Sequence, residues 1–238
     1  DAPNYLRSAE YDGGSFKIEI RAKGTLGSRQ QYGANIKLYN DNVKSRLIAL
    51  VQALGARFNK HPSFEGISFV ETALGRANPA LTDAQTQGFF RNLADVNTAA
   101  KAAFPNTVVL QHANFPQQAL PVLTEAMRKS GVGLAGPDIL PEHEGLTRSV
   151  GNPSRAGAYT YHTTLTGKVP LGINASGESY LTTDFHGPLK PQSPQALLDY
   201  ASGRLKVNYM FWMKSNKAPV MGYNKALRYM KSPAFPRD

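Results

Sequence analysis

The sequence predicts an α/β fold, with a parallel sheet covered by helices. Three observations predict it. Strand-like and helix-like runs alternate through residues 41–238. The strand-like runs, such as Val108-Val109-Leu110, are continuously apolar, as strands covered on both faces are. Breaks between the runs are mostly short and carry Pro, Gly or Asn.

The elements follow in order. Residues 1–40 read as an irregular segment, punctuated by Gly13, Gly14, Gly24, Gly27 and Gly33. Within it, Phe16-Lys17-Ile18-Glu19-Ile20 alternates apolar and charged, the pattern of a half-exposed strand or hairpin. A helix is expected over 41–58, capped by Asn40 or Asp41. Val43, Leu47, Leu50, Val51, Leu54 and Phe58 form its apolar stripe, and His61-Pro62 follows its end. Gly66–Val70 reads as a short buried strand with Glu71 at its C-terminal end. Thr82 or Asp83 caps a second helix reaching about Phe104, and 107–112 is the next strand.

A third helix is expected over 117–130 and a strand over 131–136. Residues 137–168 read as a long loop. The next strand is placed at 169–175, followed by a loop bearing Glu178, Asp184 and His186. A helix over 193–203, a last strand over 207–212 and a terminal helix over 224–230 complete the pattern.

Composition limits the chemistry. The 238 residues, 41% of them hydrophobic, are enough for a substantial core. Zero cysteines exclude disulfides, thiolate metal sites and a cysteine nucleophile. No run of about 18 apolar residues exists, so no membrane-spanning helix is expected. The net charge is +10, but its basic residues are scattered with no block of five, and nucleic acid is not an expected partner. The chain opens Asp1-Ala2-Pro3 with neither Met nor a leader, which reads as a processed or trimmed form. Gly131–Gly136 lacks the Lys-Ser/Thr of a phosphate loop, and no Gly-x-Ser-x-Gly elbow occurs.

In a parallel sheet with covering helices, ligands meet the C-terminal strand ends. Those ends carry Glu71, Gln111, His112, Asn114, Asp138, Glu178 and Trp212, polar or aromatic groups set against apolar strand interiors. The stretch around Glu142, His143 and Glu144 reads as a solvated loop, and no metal site is expected.

The segment Arg57-Phe58-Asn59-Lys60-His61-Pro62, followed by Phe64 to Glu71, resembles a motif of the large retaining clan of (β/α)8-barrel glycoside hydrolases. There a helix ends in Arg-aromatic-x-x-His-Pro and the next strand delivers the acid/base Glu. Val207–Trp212 resembles the clan's eighth strand, which often ends in a Trp that floors the sugar site. The resemblance implies a (β/α)8 barrel over 41–238, partial or N-terminally truncated, because residues 1–40 leave no room for three preceding strands. The family resemblance carried by residues 57–71 implies glycoside hydrolysis, which needs two carboxyl groups, one donating a proton and one acting as nucleophile or base. Glu71 is the expected donor, its pKa raised by burial, and Glu178 the expected second carboxylate, with Asp184 as its substitute. Gln111, His112, Asn114, Asp138, Tyr180, Asp184 and Trp212 are the expected substrate contacts. The resemblance also implies a polysaccharide or oligosaccharide substrate, no cofactor, and an extracellular or periplasmic location. Glu71 follows Val70 where the clan usually has Asn, which leaves a second reading open, a non-catalytic glycan-binding or structural protein on a degenerate barrel.

Overall fold

Alternation of apolar and charged residues turns Phe16 and Ile18 inward from β1 (Ser15–Arg21), which pairs antiparallel with β2 (Gln30–Ile36). The computed structural model describes residues 3–21, 30–72, 74, 76–149, 155–216 and 220–236, so Gly24 and Gly27 lie outside the described residues. The expected N-terminal strand or hairpin is thus present.

α1 (Asp41–Phe58) begins where expected. The Asn40 side-chain oxygen accepts the N–H groups of Asn42 and Val43 at 2.8 and 3.2 Å, a cap worth about 1 kcal/mol. β3 (Gly66–Phe69) follows. β4 (Arg76–Asn78), which the sequence did not signal, pairs with the free edge of β1, so the small sheet has the order β2-β1-β4. α2 (Asp83–Ala103) opens on a reciprocal cap. The Gln85 N–H donates to Thr82 Oγ1, and the Thr82 N–H donates to Gln85 Oε1.

β5 (Val108–His112), α3 (Leu120–Ser130) and β6 (Gly133–Gly136) match the expected runs, with a short 3-10 turn at Gln117–Ala119 leading into α3. The stretch 137–168 departs from the expected loop. It holds α4 (Glu144–Thr147) and α5 (Ala158–Leu165). α5 is built from aromatic and β-branched residues of modest helix propensity, and packing holds it, with Tyr159, His162 and Leu165 buried.

β7 (Leu171–Ala175) begins just after Pro170, a position that needs no ladder N–H. It runs directly into α6 (Gly177–Leu181), a third helix placed where a loop was expected. α7 (Pro194–Asp199) continues as one π-helical stretch over Tyr200–Arg204, and β8 (Tyr209–Trp212) and α8 (Gly222–Met230) end the described fold.

Among the described residues five strands form a parallel sheet in the order β3-β5-β6-β7-β8, curled into a half-barrel. The register aligns Phe69 with Gln111, Leu134 and Leu171, and aligns His112 with Ala135, Gly172 and Tyr209. One face of the sheet therefore carries Val109, Leu134 and Ile173, packed in a single core with Val96 and Ala100 of α2 and Leu123 and Met127 of α3. Each such fully buried side chain contributes about 1.5–3 kcal/mol.

The other face carries Leu110, Ala135, Gly172 and Phe211 and lines the inside of the curl. Small residues are required there. A Cβ on Gly133 would lie 2.5 Å from Leu110 Cδ2 and 2.4 Å from the Pro170 carbonyl oxygen. Across the open side, the Tyr209 hydroxyl of β8 donates to Glu65, next to β3, at 3.1 Å. This contact links the two edge strands at their N-terminal ends.

Candidate functional site

Loops after β3, β5, β6 and β7 meet at the C-terminal rim of the curled sheet. Residues 70–72 are clamped onto 111–115 by four hydrogen bonds. Gln111 Nε2 donates to the Val70 carbonyl at 2.7 Å, and Asn114 Nδ2 donates to Glu71 Oε2 at 3.0 Å. The Asn114 N–H donates to Thr72 Oγ1 at 3.4 Å, and the Thr72 hydroxyl donates to the Phe115 carbonyl at 2.7 Å. Glu71 itself is exposed. Its carboxylate is therefore positioned at the rim, but it lacks the burial that was expected to raise its pKa.

The desolvated acid is Asp138, two residues beyond β6. Burial, with help from the charges of Glu178 and Glu71, pushes its carboxyl up to about 6 against a hydrogen bond from the Ser176 hydroxyl that acts the other way. His143 opposes the rise weakly. Glu71, Asp138 and Glu178 thus follow three different strands, and the charges of Glu178 and Glu71 both act on Asp138. Glu178 lies in the first turn of α6, partly buried.

The frame around Asp138 is closely hydrogen-bonded. The buried Tyr159 hydroxyl donates to the Asp138 carbonyl at 2.9 Å and accepts the Leu140 N–H at 2.8 Å. Ser179 Oγ accepts the N–H groups of Ile139 and Ser176, at 2.8 and 3.2 Å, joining the β6 end to the β7 end. Such bonds fix the carboxyl's position before any ligand arrives.

His143, read from sequence as part of a solvated loop, is instead partly buried. Its Nδ1 lies 2.8 Å from Asp184 Oδ1, and its ring stands 6.2 Å from Phe115 and 5.5 Å from His186. Burial works to raise the Asp184 pKa, but the His186 N–H and the His143 ring outweigh it and hold the carboxyl below its usual range. With Nδ1 held by the Asp184 carboxylate, the orientation of the His143 ring and of its Nε2 is fixed. Among the described residues no group of three or more His, Asp or Glu is arranged to hold a metal ion.

The other expected contact residues fall in different places. Gln111 is buried, with its amide nitrogen spent on the carbonyls of Val70 and His112. Tyr180 is 2% exposed in the core, and its hydroxyl donates to the Met213 carbonyl at 3.3 Å. Trp212 packs against the core on the helix side of β8. Its neighbour Phe211, 39% exposed, points into the curl, 6.3 Å from the His112 ring. Ser176 and His143 are the residues that sequence reasoning missed. Ser176 directly follows β7, the one signal the sequence offered for it, whereas His143 stands seven residues beyond β6 at the start of α4 and carried none.

His112 faces the inside of the curl, and burial pushes its pKa down to about 4 against a hydrogen bond to the Gly136 backbone. The fully buried His162 ring is lowered too, chiefly by burial. The unfolded chain takes up these protons near 6.5 and the fold does not, so stability falls as pH drops through 6.5 towards 4. For His112 alone this is worth about 3 kcal/mol. Thermal melts of wild type and His112→Gln between pH 7 and 4 check it. The variant is expected to lose less stability on acidification, and parallel curves would refute the assignment.

Comparison with protein-family models, with curated proteins and with solved structures finds no match. What the chain does is therefore argued from its own residues.

Proposed function

We propose that this protein is a glycoside hydrolase in which Asp138 donates the proton and Glu178 is the second catalytic carboxyl group. The supporting observation is a desolvated Asp138 carboxyl beyond a strand end that feels the charges of Glu178 and Glu71, which follow two other strands. Environments that push neighbouring carboxyls apart in pKa separate an acid from a base, which is what glycosidic bond cleavage requires. Asp138 protonates the leaving oxygen. Glu178 attacks the anomeric carbon or activates water, and Glu71, steadied by Asn114, orients the sugar. On this reading the five parallel strands correspond to strands four to eight of a (β/α)8 barrel, with Glu71 ending strand four.

The test is release of reducing sugar or nitrophenol from a panel of polysaccharides and nitrophenyl glycosides. Wild type is expected to turn over at least one substrate, and Glu178→Gln to be slower by about 10²–10⁴-fold. Glycan binding with no turnover by wild type would instead support a non-catalytic glycan-binding protein.

A further inference from the structure

A cavity of about 1020 Å³ opens beside Glu71, between α1, β2, the end of β3 and the N-terminal 3-10 turn Asn4–Arg7. It is at the upper end of the size range of small-molecule pockets. Its long wall is a stripe on α1, formed by Val43, Leu47, Leu50 and Ala53 at a spacing of three to four residues. Leu50 is 54% exposed in this stripe. Phe69 and Phe89 continue the apolar lining.

Among the described residues, the charged ones lining the cavity are Arg7, Arg46 and Glu71. Both guanidinium groups come from the α1 and N-terminal side. Arg46 is held in place, stacked 5.1 Å over the Tyr5 ring with its Nε donating to the Tyr5 hydroxyl at 3.4 Å. The Glu71 carboxylate, from the β3 side, is already engaged by Asn114. A largely apolar trough with a cation from the N-terminal turn and another from α1 among its lining residues fits an alkyl chain that ends in an acid group, and fits a polar sugar chain poorly.

We propose that this cavity binds an anionic amphiphile of the fatty-acid class, with its chain along α1 and its acid group between Arg7 and Arg46. The site shares Glu71 with the proposed glycosidase site, but binding there is read without turnover and stands whether or not the protein cleaves glycosides. A ligand seated there would lie against Glu71 and so next to the strand-end carboxyls.

The test is a fluorescence titration with cis-parinaric acid, followed by displacement with hexanoate, octanoate, decanoate, decan-1-ol and decyltrimethylammonium. Saturable binding is expected, displaced by the carboxylates with about a fourfold gain per methylene. Decan-1-ol is expected to be at least tenfold weaker than decanoate, and the cation weaker still. Ala53→Trp, which fills the trough, and Leu50→Asp, at an exposed position where folding is spared, are each expected to abolish binding. Arg7→Glu/Arg46→Glu is expected to weaken decanoate at least tenfold and leave decan-1-ol unchanged. Failure of wild type to bind parinarate would overturn the proposal. So would undiminished binding in folded Leu50→Asp, or equal affinity for decanoate and the cation.

Discussion

Asp138→Asn is expected to slow cleavage of glycosides with poor leaving groups by about 10²–10⁴-fold, the range of general acid catalysis, while largely sparing those with activated aryl leaving groups. An asparagine keeps the acceptor that the Ser176 hydroxyl uses and removes only the proton to be donated. In wild type the acid must be protonated to work, so activity should fall as pH rises through about 6, the value to which burial and the neighbouring carboxylates bring this group. In the variant that descending limb should disappear from any residual activity.

The same substitution has a stability consequence of opposite sign. A carboxyl moved from 3.8 to about 6 contributes stability that is complete below 3.8 and lost as pH rises through about 6. The difference is about 3 kcal/mol. Asp138→Asn should therefore melt higher than wild type at pH 7.5 and lose that advantage at pH 3.5. A gain in stability coupled to a loss of turnover is the pattern of a residue kept for chemistry. Between pH 6 and 4 this trend opposes that of His112, so the wild-type profile is flatter than either group alone would give.

Tyr180→Ala is expected to cost about 3–5 kcal/mol, as removal of a large buried aromatic does. The ring is 2% exposed, and a Cβ placed on Gly222 of α8 would lie 2.1 Å from its Cγ. For a chain of this size the loss lowers the melting temperature by roughly 6–20 °C. Tyr180→Phe, which gives up only the bond to the Met213 carbonyl, should cost about 1 kcal/mol. A sugar-contacting Tyr180 would behave differently, with glycan affinity changing in Tyr180→Phe and melting little affected in Tyr180→Ala.

Much of the parallel sheet was legible because its local signals agree. Asn40 and Thr82 cap α1 and α2 where apolar stripes begin, and β5 and β6 are apolar runs between breakers. α5 was not legible, since Ala158-Tyr159-Thr160-Tyr161-His162 has little helix propensity and depends on packing. β4 has three residues and no apolar pattern, and only its partner β1 defines it. At the site, Glu71 and Asp138 stood out by following strands. Their environments did not, because burial and partner choice are tertiary. Ser176 meets Asp138 across 38 positions and His143 meets Asp184 across 41. Chain order also could not show that Asp138, and not Glu71, is the carboxyl withdrawn from water.

A carboxyl-carbon NMR titration of Asp138, assigned by its absence in Asp138→Asn, tests this electrostatic arrangement most directly. The expected midpoint is about 6, moving down in both Glu178→Gln and Glu71→Gln as each neighbouring charge is removed. A midpoint near 3.8 that neither substitution moves would contradict a desolvated acid flanked by two carboxylates, and the proposed hydrolase mechanism with it.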